Sequence, residues 1–315
     1  MILLTGVTGT VGRLVAERFR TPPAASEEPV RLLSRDPRRI AALAGPRTEA
    51  VGGDFADPGS LAVALKGVRT ALLVTADPLS PAHDEHFVAA ARSAGVRHLV
   101  KLSAQAVAEP DATDLITRWQ RDSEDLIRAS GLGWTFLRPR AFMSNTLGWA
   151  RSVRDEGVVR GMNGTSPNAT VDPRDIADAA VLSLTGTGAG SGRGTGAGSG
   201  RGTGAGSGNG SGSGHTGRAY ALTGPAAISP VQQVAVLSEV LERPLRFVEV
   251  TRDQAYEALR ARYPVPVADA LMEGAVRQRS GAKARVEPTV ETLLGRPAGT
   301  YRSWAADHLR AFRPV

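Results

Sequence analysis

The sequence predicts an α/β protein in which a doubly wound parallel sheet is followed by a smaller, mainly helical C-terminal lobe. Strand patterns alternate with helical patterns through the first 140 residues, a glycine triplet lies between the first strand and the first helix, and helices predominate from about residue 228. Repeated strand–helix–strand units imply right-handed crossovers, which place helices on both faces of a parallel sheet. A chain of 315 residues with 42% hydrophobic content can bury such a core.

Five apolar runs have the length and composition of buried parallel strands. They cover residues 2–5, 30–34, 70–75, 97–103 and 134–138. A further strand, the third in chain order, ends at "VGGDFADP". The helical patterns between the strands lie near 11–20, 37–44, 58–65, 82–94 and 114–130. Asp36 and Asp57, each followed by proline, are expected to open helices, and Gly95 and Gly131 to close two others.

The second half of the chain contains one more strand of the sheet and then mostly helices. The helix "PRDIADAAVLSLTG" precedes the strand "RAYALTG", which we expect to return to the sheet or its edge at 218–224. Ser229 and Thr251 are the predicted N-caps of "SPVQQVAVLSEVLE" and "TRDQAYEALRARY", with the strand "PLRFVEV" between these helices. More helix is predicted at 265–279 and 300–312.

These elements suggest two structural units. Residues 1–150 form the sheet domain, and residues 151–185 together with 225–315 form the lobe. We expect the lobe to rest on the carboxyl edge of the sheet, where open α/β folds place their substrates.

Residues 186–217 have a different composition, and we interpret them as a flexible Gly/Ser-rich insertion. The repeat "GAGSGRGT" occurs at 188–195 and 196–203. Such a segment has little apolar surface to bury and much backbone entropy to lose. A phosphate-binding role is weakly supported, because no strand precedes it and no helix follows it immediately.

Composition excludes several classes of function. The chain has no cysteine, so it has neither a disulfide framework nor thiolate chemistry. Its +7 charge comes from 38 basic against 31 acidic residues, and only Lys66, Lys101 and Lys283 are lysines. The arginines are scattered, which disfavours a nucleic-acid surface.

No apolar run approaches the ~20 residues of a membrane span, and no leader precedes the first strand. We expect a cytoplasmic protein that contacts neither nucleic acid nor membrane, whether monomer or homodimer.

The segment "ILLTGVTGTVGRLVAERF" is the strongest functional motif. Gly6 allows a tight turn after the strand, Gly9 lets the backbone approach a pyrophosphate, and Gly12 permits close contact between helix and strand. Helix-terminal N–H groups would face the phosphates. The motif predicts a Rossmann-type dinucleotide site. Its cofactor-binding candidates are Gly6, Thr8, Gly9, Thr10, Val11 and Gly12.

The end of the second strand favours NADP(H) over NAD(H). The segment "VRLLSRDP" places Ser34 and Arg35 where an NAD-binding site would have an acidic side chain for the ribose hydroxyl. A guanidinium suits a 2′-phosphate instead. Asp36 is better interpreted as the N-cap that precedes Pro37.

Later strand ends supply further cofactor candidates. Asp54 and Phe55 could contact the adenine, although a loop-capping role for Asp54 is nearly as plausible. After the fourth strand, "LLVTADP" would bring Thr75 and Ala76 to the ribose and nicotinamide side. Lys101, on the fifth strand, is predicted to be structural, with a cofactor contact as the alternative.

These motifs resemble the NmrA-like branch of the atypical short-chain dehydrogenase/reductases. The resemblance is carried by "LLTGVTGTVGR", "SRDP", "GDFADP", "AARSAGVRHLVKLSA", "SEDLIRASGLGWTFLRPRAFMSN" and "YALTGPAAISPVQQVAVLSEVLERPLRFVEV", and it runs along nearly the whole chain except the insertion. It implies the Rossmann fold and a preference for NADP(H). It leaves the reaction open, because the branch contains quinone and azo-dye reductases, biosynthetic reductases and non-catalytic regulators.

The tyrosine–lysine pair of ordinary short-chain dehydrogenases is missing. All four tyrosines lie beyond residue 219, and Gln120 and Glu124 occupy the matching helix positions. Hydride transfer requires a well-placed acceptor and exclusion of water rather than this pair. Quinones and enones suit such a site, since their product anion is already stabilised. Ser103 and Gln120 are the catalytic candidates, and strand-end capping or solvation are the alternatives.

The segment "RPRAFMSNTLGW" is the predicted substrate pocket. The resemblance places it over the nicotinamide, with Phe142, Met143 and Asn145 as substrate-binding candidates, and Trp149 is more plausibly a core residue. The run "HDEH" at 83–86 has two possible metal ligands but lacks an evident third, so no metal site is predicted.

The favoured function is an NADPH-dependent oxidoreductase that transfers hydride to a small conjugated acceptor, such as a quinone, azo compound or enone. One alternative is a non-catalytic NADP-binding redox sensor, which the missing pair favours. Another is a non-redox isomerase or cyclase that retains the cofactor as a structural element.

Overall fold

A parallel sheet forms the centre of the molecule, and a small parallel sheet lies in the C-terminal lobe. The computed structural model describes residues 1–21, 26–186 and 214–313. Its strands are β1 (Ile2–Leu4), β2 (Val30–Ser34), β3 (Thr48–Gly52), β4 (Thr70–Leu73), β5 (His98–Leu102), β6 (Gly133–Pro139), β7 (Val158–Gly161), β8 (Arg218–Leu222) and β9 (Arg246–Glu249). Within this described part, the large sheet has the order β3-β2-β1-β4-β5-β6-β8 and the small sheet pairs β7 with β9. The predicted doubly wound fold is confirmed, and β8 joins its edge as predicted.

Helices connect these strands and build the lobe. The α-helices are α1 (Thr10–Arg20), α2 (Pro58–Ala64), α3 (Ala82–Ser93), α4 (Leu115–Ala129), α5 (Ala150–Glu156), α6 (Pro173–Thr185), α7 (Pro230–Leu241), α8 (Arg252–Arg260), α9 (Val265–Arg279), α10 (Thr289–Leu294), α11 (Tyr301–Asp307) and α12 (Leu309–Phe312). Short 3₁₀ helices cover Pro37–Leu43, Gln105–Ala108 and Met143–Trp149. The predicted caps Asp36, Asp57, Ser229 and Thr251 all accept hydrogen bonds from helix N–H groups.

Several elements differ from the sequence prediction, and helices α5 and α10 were not predicted. The segment 37–44 is a 3₁₀ helix rather than an α-helix. The predicted helix at 300–312 is divided into α11 and α12 at His308, whose backbone leaves the helical conformation at φ −110° and ψ 14°. Strand β7 was not predicted, because its few residues form a strand only by pairing with β9.

The central sheet is buried on both faces. Successive side chains of a strand point to opposite faces. Ile2 and Leu4 of β1 therefore pack with α1 and α6, whereas Leu3 packs with α2, α3 and α4. All three side chains are fully buried. The site is thus carried on a rigid sheet that is covered on each side by helices.

Helix α6 covers the sheet and does not belong to the lobe. Ile176 of α6 joins the core cluster of α1, and Arg18 of α1 donates to Asp178 of α6 at 2.8 Å. This helix lies on the connection between the parallel neighbours β6 and β8, which requires a crossover on one face of the sheet. The predicted assignment of 151–185 to the lobe is therefore wrong for α6.

The lobe has its own apolar core. Met143, Val159, Leu237 and Trp304 are buried there, contributed by the 3₁₀ helix before α5, by β7, by α7 and by α11. Residues 143–149, assigned to the sheet domain on sequence, thus pack with the lobe. Because this 3₁₀ helix directly follows β6, the lobe core is attached to the carboxyl edge of the sheet.

The predicted insertion at 186–217 is described only at its ends, and residues 187–213 lie outside the described part of the chain. Gly186 ends α6 in the left-handed conformation. At the other end His215 is buried, its Nδ1 lies 2.8 Å from the Tyr220 hydroxyl, and its carbonyl accepts from Thr135 Oγ1 at 2.8 Å. Residues 214–217 therefore belong to the packed fold, and both ends lie at the amino edge of the sheet.

The turn between β1 and α1 depends on two glycines. Gly6 has φ 64°, a left-handed conformation that side chains other than glycine rarely adopt. A Cβ atom at Gly12 would lie 2.3 Å from the Gly6 carbonyl oxygen, so α1 can approach this turn only without a side chain there.

We predict that Gly12→Ala lowers the free energy of unfolding by roughly 1–3 kcal/mol, because the methyl group meets backbone rather than a movable side chain. Chemical denaturation measures the change. The matched control is Gly148→Ala, where nothing lies within 4 Å of the added Cβ, and little loss is expected. Equal stability of the two variants would show that the turn relaxes to admit the methyl group.

Candidate active site

The N-terminus of α1 has unpaired backbone donors. No acceptor in the described part of the chain takes the N–H groups of Thr10, Val11 and Gly12, and the N-cap Gly9 has no side chain to satisfy them. Thr8 is exposed beside them. Unpaired N–H groups and the helix dipole favour an anion at such a terminus. The loop therefore fits the pyrophosphate of a dinucleotide.

The end of β2 is followed by arginines in different states, of which Arg38 is paired and Arg35 is free. Arg38 donates to Asp36 at 2.9 Å, and this bond holds the pKa of the Asp36 carboxyl below its ordinary value. Ser34 Oγ accepts from the Asp36 N–H at 3.2 Å. The exposed guanidinium of Arg35 has no hydrogen-bond or ion-pair partner among the residues that the structure describes. Arg35 is thus available for an anionic group of the cofactor.

The loop after β3 brings Asp54 and Phe55 to the same edge. Asp54 Oδ1 accepts from the Ala56 N–H at 3.0 Å, which is the loop-capping role considered on sequence. The ring of Phe55 packs edge-on against Phe87, with centroids 5.8 Å apart. An adenine contact for Asp54 or Phe55 stays a prediction.

A buried polar network surrounds Lys101 of β5. Its Nζ donates to Thr75 Oγ1 and to Gln120 Oε1, each at 3.1 Å, and lies 3.7 Å from Asp84 Oδ1. Trp119 Nε1 donates to the other oxygen of Asp84 at 2.8 Å. Burial lowers the pKa of the Lys101 ammonium, and the Asp84 carboxylate acts in the opposite direction. Lys101 therefore positions the strand ends and α4, in agreement with its predicted structural role.

This network also uses the residues of the "HDEH" run. Asp84 is committed to Lys101 and Trp119, and His86 Nδ1 lies 2.8 Å from the Phe55 carbonyl oxygen. Within residues 1–21, 26–186 and 214–313, no group of three or more possible ligands could hold a metal ion.

Glu124, at the position where a catalytic lysine would stand, is a buried structural carboxylate. It accepts from Ser103 Oγ at 2.6 Å, from Arg128 Nη2 at 2.8 Å and from Arg138 Nε at 2.9 Å. Its side chain has no exposed surface. Glu124 thus joins α4 to the ends of β5 and β6.

These hydrogen bonds leave the two catalytic candidates, Ser103 and Gln120, with different capacities to donate a hydrogen bond to a bound molecule. Ser103 uses its single proton toward Glu124 and in this arrangement does not also donate to a substrate, so a catalytic role for Ser103 stays a prediction. Gln120 accepts from Lys101 with Oε1, and its Nε2 amide has no acceptor in the part of the chain described. Gln120 therefore keeps a side-chain donor for a bound molecule.

A cavity of about 480 Å³ lies at the carboxyl edge of the sheet, between the ends of β4, β5 and β6 and helix α9. Thr75, Ala76, Ser103 and Gln120 line its floor. Because Thr75 Oγ1 donates its proton to Asp84 Oδ1 at 3.0 Å and accepts from Lys101 at 3.1 Å, the Thr75 hydroxyl has no free proton to donate to a cofactor. The predicted cofactor side and substrate side thus meet in one cavity.

The predicted substrate segment contributes unequally to this cavity. Phe142 and Asn145 line it, as the sequence suggests. Met143 points into the lobe core and is 2% exposed, so its predicted substrate contact is not supported. Trp149 also packs against that core, which agrees with its predicted structural role.

The sequence did not predict a cluster of charged side chains that lines the same cavity. Arg140, Arg277 and Lys283 line it together with Asp114. Burial, followed by the nearby arginine charges, lowers the pKa of Lys283 to about 8. Two signals were available: Arg140 directly follows β6, and Lys283 is one of three lysines.

The glycine turn, the strand order and the cavity at the carboxyl edge define a dinucleotide-binding α/β protein. Residues 6–186 match the model of a family described as NAD(P)H-binding. The chain belongs to this family, and its predicted nicotinamide cofactor is thereby confirmed as NAD(P)H. No described helix is long and apolar enough to cross a membrane.

Relatives align with the whole chain. The (4-alkanoyl-5-oxo-2,5-dihydrofuran-3-yl)methyl phosphate reductase of Streptomyces griseus is 51% identical to this chain, and the alignment covers 100% of each protein. The NAD(P)H azoreductase of Xenophilus azovorans is 32% identical over 99% of each. The NADPH-dependent quinone oxidoreductase of Escherichia coli, solved with NADPH, shares the fold with a TM-score of 0.77 at 23% identity, covering 98% of this chain and 100% of that one. The predicted resemblance to quinone and azo reductases is confirmed, as is the class of NAD(P)H-dependent oxidoreductase.

We predict that Glu124→Gln costs roughly 3–5 kcal/mol of unfolding free energy, because two arginines then face a buried neutral group. The matched control is Asp125→Asn, which removes the exposed partner of the same Arg128 and should cost less than about 1 kcal/mol. Urea denaturation of both variants compares them. Similar small losses would mean that solvent reaches Glu124.

Proposed function

We propose that this protein is an NADPH-dependent reductase of a carbon–carbon double bond conjugated to carbonyl groups, in a butenolide that carries an acyl substituent. The observation that carries the proposal is the cavity in which Gln120 offers an amide donor, whereas no tyrosine lines this cavity in the described part of the chain and its lining lysine, Lys283, lies beside α9 rather than on α4. The full-length relative from Streptomyces griseus supports it, because that protein is named as a reductase of an acyl butenolide.

The chemistry of this acceptor explains how the reaction can proceed without the tyrosine–lysine pair of ordinary short-chain dehydrogenases. In an acyl butenolide the double bond is conjugated with a lactone carbonyl and a ketone. Hydride addition at the far carbon leaves an anion that both carbonyl groups stabilise, and the carbon between them then takes a proton from solvent. Such a reaction needs positioning and a hydrogen-bond donor rather than a strong acid.

The residues of the cavity have distinct roles in this proposal. Gln120 Nε2 would donate to a substrate carbonyl oxygen and stabilise the negative charge that develops there. Lys101 holds the Gln120 amide in place through its 3.1 Å bond to Oε1. Apolar side chains, including Leu102, Ile116 and Phe142, line the same cavity and reduce the access of water. Bound NADPH would supply the hydride.

The cofactor is proposed to be held by the α1 terminus and Arg35. The unpaired N–H groups of Thr10, Val11 and Gly12 suit the pyrophosphate, and the free Arg35 guanidinium suits the 2′-phosphate. The exposed Arg35 can reach this phosphate without breaking an existing ion pair, which supports a preference for NADPH.

We predict that Arg35→Glu weakens NADPH binding by roughly ten- to a hundredfold and leaves NADH binding almost unchanged, since only NADPH has the 2′-phosphate. Fluorescence titration gives both dissociation constants. Arg97→Glu makes the same charge change on an exposed arginine before β5, at the opposite edge, and should alter neither constant. Equal losses for both cofactors in Arg35→Glu would contradict the phosphate assignment.

We predict that the purified protein oxidises NADPH with an acyl butenolide phosphate more efficiently than with quinones or azo dyes, as followed by absorbance at the nicotinamide band. Gln120→Glu keeps the acceptor for Lys101 but removes the amide donor, so it should lower kcat roughly ten- to a hundredfold without changing NADPH affinity. Tight NADPH binding with no turnover of any acceptor would favour the sensor or the non-redox alternative. An unchanged kcat in Gln120→Glu would exclude the proposed donor.

A further inference from the structure

Three cationic side chains converge at the end of the cavity formed by α9. Arg140 follows β6, Arg277 lies in the last turn of α9, and Lys283 follows α9 on a loop held by a 2.9 Å bond from the Ala169 N–H to the Lys283 carbonyl. The Arg140 side chain is 6% exposed. These cations are therefore built into the cavity wall rather than displayed on the outer surface.

The acidic partners of this cluster neutralise it only in part. Arg140 Nη1 bonds to Glu109 Oε1 at 2.6 Å, and Arg277 Nη2 bonds to Asp114 Oδ2 at 2.7 Å. The buried Nε atoms of both arginines have no hydrogen-bond acceptor in the described residues, although Arg277 Nε lies 3.8 Å from Glu109 Oε2 in an ion pair. Lys283 has neither a hydrogen bond nor an ion pair there. Three positive groups thus face two carboxylates, and an unpaired charge in a buried site is costly.

Gly274 keeps space open between two of these cations. A Cβ atom at this position would lie 3.4 Å from Lys283 Nζ and 4.0 Å from Arg277 Nη2. Glycine in the middle of a helix is unfavourable relative to alanine, so α9 is intrinsically weakened at this point. The absence of a side chain at Gly274 leaves room for a small group near the positively charged Lys283 Nζ and Arg277 Nη2 atoms.

We infer that Arg140, Arg277 and Lys283 form a subsite for a phosphate monoester carried by the substrate. This inference rests on the proposed function, since the subsite occupies one end of the same cavity. A phosphate dianion would offset the excess positive charge and accept hydrogen bonds from the ammonium and guanidinium groups. The neutral Gln120 end would receive the conjugated carbonyl groups, so the cavity would recognise the two ends of one molecule by different chemistry.

The subsite should lose affinity for the phosphate at alkaline pH. The pKa of Lys283 is about 8, and a bound anion would raise it. Binding is therefore strongest between about pH 6, the second pKa of a phosphate monoester, and pH 8, and it weakens as the pH rises through 8 and the Lys283 ammonium is lost. The charged groups that face Lys283 are Arg277, Arg140, Glu109 and Asp114.

The test compares an acyl butenolide phosphate with the same butenolide bearing a free hydroxymethyl group. We expect Lys283→Gln to raise the KM of the phosphate ester roughly ten- to a hundredfold and to change the KM of the alcohol little. Lys283→Arg should recover much of the loss. Lys66→Gln removes the same charge from an exposed lysine and should have no effect. The rise of the ester KM above pH 8 should disappear in Lys283→Gln.

Calorimetric binding of both compounds to the protein saturated with NADP⁺ separates this inference from the proposed function. Tighter binding of the ester, dependent on Lys283, supports the subsite even if no NADPH is consumed, in which case the proposed reaction fails alone. Equal affinity for ester and alcohol would overturn the subsite while turnover of the alcohol still supported a reductase. Equal losses for both compounds in Lys283→Gln would also overturn it, since they would indicate a structural role.

Discussion

Two buried charges, Lys101 and Glu124, join the carboxyl edge of the sheet to its covering helices. Lys101 connects β5 with the end of β4 and, through Gln120, with α4, and Glu124 connects α4 with Arg138 of β6. Charges in a low-dielectric interior tolerate little displacement, because separation from their partners is expensive. The floor of the cavity is therefore held by electrostatic pairing. The helix positions that provide acid chemistry in ordinary short-chain dehydrogenases here provide rigidity and one amide donor.

In the proposed function and its phosphate subsite, this arrangement would divide the recognition of a substrate between the two ends of the cavity. The sheet contributes a rigid floor with Gln120, whereas α9 and the loop after it contribute the cationic end. A substrate with an activated double bond at one end and an anionic group at the other would be aligned before reaction. Such alignment provides much of the catalytic advantage when the product anion is already stable.

The sequence predicted the layers of the fold better than the geometry of the site. Strand alternation and side-chain caps such as Asp57 and Ser229 are local signals, and they located most elements correctly. Local patterns did not show which layer α6 covers, because its apolar face suits the sheet and the lobe equally. They also did not show that Ser103 is engaged by Glu124 or that Met143 turns inward. Arg140 and Lys283 are distant in sequence and meet only through the placement of α9.

The connection between α6 and β8 enters and leaves at the amino edge of the sheet. Gly186 and the turn containing His215 mark its two ends, whereas the cavity opens at the opposite edge. The described ends of this connection are therefore separated from the cavity by the length of the strands. A reporter or an affinity module joined to the chain after Gly186 would start from the edge of the sheet that lies opposite the cavity.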